Sequence, residues 1–161
     1  METAAHPRIL FKPRTFGKIF VTLTSSTSLW TGVVKTFRWA SELSVNSSWH
    51  NLCENPKAIE AYYDSVPMLV DFDVHEISLL RDGPSITFAG DLAGFADNPS
   101  PRWDSSANRV RLILSLWTVS DLSINGWSTT NMGSLSLIRA DTGLKFEFTN
   151  VNMQCLAAVS S

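Results

Sequence analysis

The stretch Val74 to Asp91, V-H-E-I-S-L-L-R-D-G-P-S-I-T-F-A-G-D, constrains the fold more than any other part of the chain. It holds two short runs of period-two character joined by a strong turn. In the first run His75, Ile77 and Leu79 share one face, with Glu76 and Ser78 on the other. In the second, Ile86 and Phe88 point one way and Ser85 and Thr87 the other. Successive side chains of a strand leave opposite faces of a sheet, so this alternation predicts two half-buried strands. Asp82-Gly83 supplies the turn, because glycine takes a positive φ without steric cost and aspartate bonds its own backbone. Pro84 has no N–H to donate across a two-residue hairpin, so the spacing predicts a loop of about four residues closed by Leu80 and Ser85.

Further strands follow the same logic. Val110, Leu112, Leu114 and Leu116 alternate with Arg109, Arg111 and Ser115, and Leu122 and Ile124 share one side of Asp121 to Trp127. Leu135 and Leu137 repeat the pattern. Asp141-Thr142-Gly143 reads as a hairpin loop leading to Leu144, Phe146 and Phe148, and Met153 to Val159 supplies a last strand. Short strands at this spacing, with turn signals between them, predict a mainly β fold: an antiparallel sheet or sandwich. Ser48 is placed to cap a short helical turn over Trp49 to Glu54. Asn55-Pro56 starts a second helix, with Asn55 as its cap, carrying Ala58, Ile59, Ala61, Tyr62 and Tyr63 and stopping before Pro67.

Residues 1–45 read differently. Pro7 and Pro13 interrupt them, and Thr24 to Ser28 reads as a loop. Phe16 to Leu23 and Thr31 to Trp39 read equally as strands or as parts of an appended arm. Charge also shifts near Val45: residues 1–45 carry six basic and two acidic side chains, residues 46–161 seven basic and thirteen acidic. The expectation is an N-terminal extension over 1–45 followed by one antiparallel β domain over 46–161. With 161 residues and 44% hydrophobic content, the chain can form one globular domain with a proper core.

The charge balance also narrows the function. An acidic body does not suit a nucleic-acid reader, whose affinity comes from cations on phosphates, but it suits a protein that covers a basic surface. No apolar run approaches the ~18 residues of a membrane span. The N-terminal apolar run Ile19 to Leu23 is too short for a secretory signal. Cys53 and Cys155, far apart and in unlike contexts, read as reduced thiols of a cytoplasmic protein, with one disulfide as the alternative.

Candidate chemistry is sparse. Asp71, Asp73 and His75 would share a side if their strand began that early, and carboxylates with imidazole hold divalent metals. The plainer account is that the aspartates lead into the strand, and no second histidine cluster completes a site. His50 and Cys53 with Cys155 fall one ligand short of a structural zinc site. No serine sits in a G-x-S-x-G elbow, and neither a phosphate loop nor a dinucleotide fingerprint is present. No catalytic residue, metal or cofactor is therefore expected. Six tryptophans stand out instead. Trp103 follows Pro101-Arg102 and Trp127 follows Asn125-Gly126, both at turns. Each either covers one end of the core or serves as a binding anchor. Aromatics at turns also suit stacking on sugar rings, which makes a carbohydrate-binding β-sandwich the alternative function.

An ordered set of short motifs runs through the second part of the chain: S-W-x-x-L (Ser48, Trp49, Leu52), N-P (Asn55, Pro56), a tyrosine at Tyr62 or Tyr63, P-x-L (Pro67, Leu69), H-E-I-x-L-x-R-D-G-P (His75 to Pro84), D-L (Asp91, Leu92), P-x-P-R-W (Pro99 to Trp103), N-x-V (Asn108, Val110) and G-W (Gly126, Trp127). This order and spacing resembles the immunity protein 50 family, encoded beside bacterial polymorphic toxins, over roughly Asn46 to Val159. The resemblance implies a small, non-enzymatic cytoplasmic protein whose partner is a cognate toxin domain. Acidic residues would be steered to the cationic cleft of a toxin that attacks nucleic acid. The candidate toxin-binding residues are Asp82, Asp91, Asp97, Arg102, Trp103, Asp104 and Trp127, expected on turns and strand ends that form one rim.

Overall fold

In the computed structural model, which describes residues 19–27 and 48–160, the Val74–Asp91 stretch folds as the hairpin its alternation predicts. Strand β2 (Phe72–Leu80) pairs antiparallel with β3 (Ser85–Asp91). Leu80 opposes Ser85, which leaves residues 81–84 as the loop, and Gly83 takes the left-handed φ of 74°. One detail of the alternation is corrected. Val74 opposes Gly90 and Glu76 opposes Ala89, so His75 is the extra residue of a β-bulge. Phe72 and Val74 therefore face the core, His75 and Glu76 both face out, and Ile77 returns to pack against the core. An inserted residue breaks a strict period of two, and composition alone does not announce it. Gly90 is required beside this bulge, because a Cβ there would press on the Phe72 ring and the Asp73 carbonyl.

Strand β4 (Arg109–Trp117) buries Val110, Leu112, Leu114 and Leu116 as the pattern predicts. Strands β5 (Val119–Asn125), β6 (Met132–Ala140), β7 (Gly143–Thr149) and β8 (Gln154–Ser160) complete the second half of the chain. Ala140 opposes Gly143, so the β6–β7 turn holds only Asp141 and Thr142. All pairings are antiparallel, in the order β1-β4-β3-β2-β6-β7-β8-β5. The two four-stranded halves join where Phe72 and Asp73 pair with Gly133 and Met132, helped by the Val74 N–H donating to the Asn131 carbonyl at 3.0 Å and the Leu135 N–H to the Leu69 carbonyl at 2.8 Å. At that corner the sheet folds over on itself. Phe88 of β3 meets Phe146 of β7 across the interior, ring centroids 4.2 Å apart. The resulting core draws on both halves and buries Phe72, Phe88, Phe146 and Phe148 fully. Burial of each such ring contributes about 1.5–3 kcal/mol.

The N-terminal boundary needs correction. Residues 19–26 form strand β1 (Ile19–Ser26), which pairs along its whole length with β4 and buries Ile19 and Val21. Thr24 to Ser26, expected in a loop, belong to this strand. The sheet thus begins well before residue 46. Other features expected within 1–45, including a strand over Thr31 to Trp39, lie outside the described residues.

The helices are shorter than expected. A 3-10 turn covers Trp49–Leu52, and α1 covers Lys57–Glu60, with turns continuing to Tyr62. Neither Ser48 nor Asn55 caps with its side chain. Asn55 instead accepts from the Val21 N–H at 2.9 Å and donates to the Val21 carbonyl at 2.7 Å. A primary amide carries one acceptor and a donor pair, so it can stand in for a neighbouring strand's peptide group. With the Glu54 N–H donating to the Ile19 carbonyl at 2.8 Å, this covers the outer edge of β1 at Ile19 and Val21. Cys53 and Cys155 are free and buried. Among the described residues no helix is long and apolar enough to cross a membrane.

Candidate functional site: an acidic and aromatic face

The long connection from β3 to β4, residues 92–108, has no strand or helix of its own and is held down by the segment that follows α1. The Asn98 N–H donates to the Tyr62 carbonyl at 3.0 Å, and the Asp64 N–H to the Asp97 carboxylate at 3.0 Å. The Asn98 side chain donates to the Asp64 carboxylate at 2.7 Å, and the Tyr63 hydroxyl to the Gly94 carbonyl at 3.4 Å. Trp103 lies stacked on Tyr62, centroids 4.8 Å apart, and meets Phe95 edge-on at 6.2 Å. The loop is therefore pinned by polar bonds on one side and by an aromatic trio on the other.

The exposed surface of this arrangement is acidic with an aromatic centre. Asp64, Asp97 and Asp104 are exposed, Phe95 is 40% exposed, and Trp103 is half-buried. Ser106 donates to Asp104 through its N–H (2.8 Å) and its hydroxyl (2.6 Å), which holds that carboxyl below its ordinary range and keeps it ionised. Burial, reinforced by the negative Asp97, pushes the Tyr63 phenol well up, so it stays a neutral donor. Arg102 adds one exposed cation to the same loop. The arrangement offers fixed negative charge around an apolar anchor, the makings of a protein contact.

The candidate residues from the sequence do not form a single rim. Asp97, Arg102, Trp103 and Asp104 share the β3–β4 loop. Asp82 sits in the β2–β3 turn, at the opposite end of β3, about 20 Å away for a strand of this length. Asp91 is only 6% exposed. Its carboxylate takes the Arg111 Nε at 3.2 Å and the His75 Nε2 at 3.1 Å, with the Ser26 hydroxyl at 3.4 Å, so it holds the sheet face together rather than facing a partner. Trp127 is 54% exposed in the β5–β6 loop, and no described ring stacks on it. Sequence patterning placed Tyr62 in a helix and among the family motifs but not at the site, and it missed Asp64 and Phe95, because only the fold brings the segment after α1 onto a loop more than thirty residues away. Among the described residues no three His, Cys, Asp or Glu side chains are grouped to hold a metal. The bulge turns His75 toward Asp91 instead.

A model of the immunity protein 50 family matches residues 55–160, well over half of the chain. The chain belongs to the immunity protein 50 family. The match takes in α1, β2 to β8 and the whole acidic and aromatic face, while β1 and the 3-10 turn precede it. No curated protein and no solved structure matches this immunity protein 50 member.

Proposed function

We propose that this immunity protein 50 member acts as a non-enzymatic inhibitor, binding a cognate toxin domain through the face built from Tyr62, Asp64, Phe95, Asp97, Trp103 and Asp104. The observation that carries this is the family match, which spans every residue of that face. The physical chemistry supports it: the carboxylates steer a cationic partner on approach, and the aromatic trio supplies the desolvated anchor. Preorganisation by the Asp64–Asp97–Asn98 network spares the ordering cost that a mobile loop would carry. The cytoplasm is the proposed place of action, where a toxin must be met before it reaches its target.

The proposal expects a secreted protein with a variable C-terminal domain to be encoded beside this gene, and the test uses that domain. Co-expression with the full chain is expected to restore growth, and the purified pair is expected to form a complex whose association slows as salt rises. A combined Asp97→Lys, Trp103→Ala, Asp104→Lys variant should weaken the complex by at least about 100-fold while keeping the β-sheet circular dichroism. Full protection by that variant would overturn the assignment of this face. Absence of both complex and protection would overturn the function.

A further inference from the structure

The two ends of the sheet are finished differently. The first part of the β1 edge, at Ile19 and Val21, is covered by Glu54 and Asn55. At the other end, β5 pairs with β8 alone. After Val119, whose N–H donates to the Pro84 carbonyl at 2.9 Å, no described residue pairs with its outer side. A strand edge left this way is a template for another strand, and proteins usually guard it with lysine, proline or a bulge. Here V-S-D-L-S-I-N carries neither lysine nor proline, and the bulge between Val119 and Asp121 guards only its start.

Beside this edge lies an apolar groove of about 370 Å³, lined by Leu79, Leu80 and Ile86 of the hairpin and by Val119 and Leu122 of β5. Leu79 and Leu80 are 58% and 55% exposed, and Ile124 continues the apolar line along β5 at 39%. The remaining side chain that matters is Asp121. It is exposed, lines the same groove, and pairs with no described residue; the cation in the lining, Arg81, is taken by Asp82 at 3.5 Å. In the cross-strand row Asp121, Ala158, Lys145, the lysine stands two strands away, roughly 10 Å. An occupant therefore needs apolar side chains on one face and a cation on the other, the alternation of an amphipathic strand.

We infer that the β5 edge takes up an extended segment of the toxin partner as an added strand, its apolar side chains in the Leu79–Leu80–Leu122 groove and a lysine or arginine against Asp121. This is β-augmentation, in which main-chain bonds give affinity and alternate side chains give selectivity. A second copy of this chain fits less well. Antiparallel β5–β5 pairing centred on Leu122 would set Asp121 against Ser123 and bring it no cation. The identity of the occupant rests on the toxin-binding function proposed above.

The test begins with the full chain and a synthetic peptide, acetyl-Lys-Val-Lys-Leu-Lys-Val-Thr-amide, with its glutamate-for-lysine counterpart as control. In the free chain, alternate amides of residues 120–125 are expected to exchange with solvent freely. Uniform protection would show the edge already occupied and overturn the proposal. The lysine peptide should shift the NMR signals of Leu79, Leu80 and residues 120–125 and slow exchange of the free amides, while the glutamate peptide should not. Leu80→Asp and Asp121→Lys, both changes of exposed side chains, should weaken the lysine peptide at least tenfold. No shift with the lysine peptide, or unchanged binding by both variants, would overturn the proposal. The toxin domain separates this inference from the function: equal binding of that domain by wild type and Asp121→Lys would sink the edge site alone. Peptide bound at β5 with no toxin bound anywhere would sink the toxin-binding function, and with it the toxin as occupant of the edge.

Discussion

Replacing Asn55 with alanine tests how the first strand is held. Its amide makes two partly buried bonds to Val21, at 2.9 and 2.7 Å, across 34 residues of sequence. Each such bond contributes about 1 kcal/mol net, and a peptide group left without a partner costs about 1–3 kcal/mol where water reaches it poorly. Val21 presents both an N–H and a carbonyl, and its side chain is buried. The expected loss for Asn55→Ala is therefore about 2–4 kcal/mol, a large part of the 5–15 kcal/mol typical of a whole domain. Urea unfolding followed by tryptophan fluorescence reads this directly: the midpoint should fall while the slope stays constant, because the surface exposed on unfolding is unchanged. Asn55→Asp keeps the acceptor for the Val21 N–H but loses the donor, and should fall between wild type and alanine. A loss below about 0.5 kcal/mol for Asn55→Ala would refute the edge-sealing argument, since surface substitutions without a special role cost that little.

Four further outcomes follow from the same geometry. Asp91→Ala should cost about 1–3 kcal/mol in the same urea assay, short of the 3–5 kcal/mol of a fully buried pair because Arg111 and His75 are about 40% exposed. Gly126→Ala should cost about 2 kcal/mol or more, because φ there is 75° and a Cβ would strike the Asn152 carbonyl; a neutral result by thermal melt would contradict the β5–β6 turn. Trp103→Ala should lower stability by about 1–3 kcal/mol through loss of the Tyr62 stack, whereas Trp127→Ala should stay within about 0.5 kcal/mol. Burial pushes the Cys53 and Cys155 thiols up from 9.0 to about 12 and about 11. The unfolded chain then loses these protons first, so stability is intact below pH 9 and declines as pH rises from there through the folded values. A chain with both cysteines replaced by alanine should show a flatter decline, and the native thiols should resist iodoacetamide at pH 8.

Local chemistry made much of the fold legible. The Asp82-Gly83-Pro84 turn fixed a four-residue loop, because proline excludes the tighter hairpin and glycine takes the positive φ. The β4 alternation appeared in the structure residue for residue. The His75 bulge did not, since one inserted residue depends on the partner strand, here on Gly90 and the Asp91 carboxylate beside it. Residues 19–26 were only half legible, a strand being one of two readings up to Leu23. Their polar half, Thr24 to Ser26, reads as loop by composition, yet β4 offers a complete ladder to pair with.

For the candidate site, sequence sufficed to single out the turn-rich stretch around Asp97, Trp103 and Asp104, because prolines, aspartates and a tryptophan between strands mark an exposed loop. Sequence also carried the family motifs. Only the folded chain decided which charges act together. It buried Asp91 under Arg111 and His75, sent Asp82 to the far end, and brought Tyr62 and Asp64 from α1's flank onto the loop. The physical reason is range: turn and alternation preferences act within a few residues, whereas ion pairs, ring stacks and open edges arise between segments that only the completed sheet places side by side.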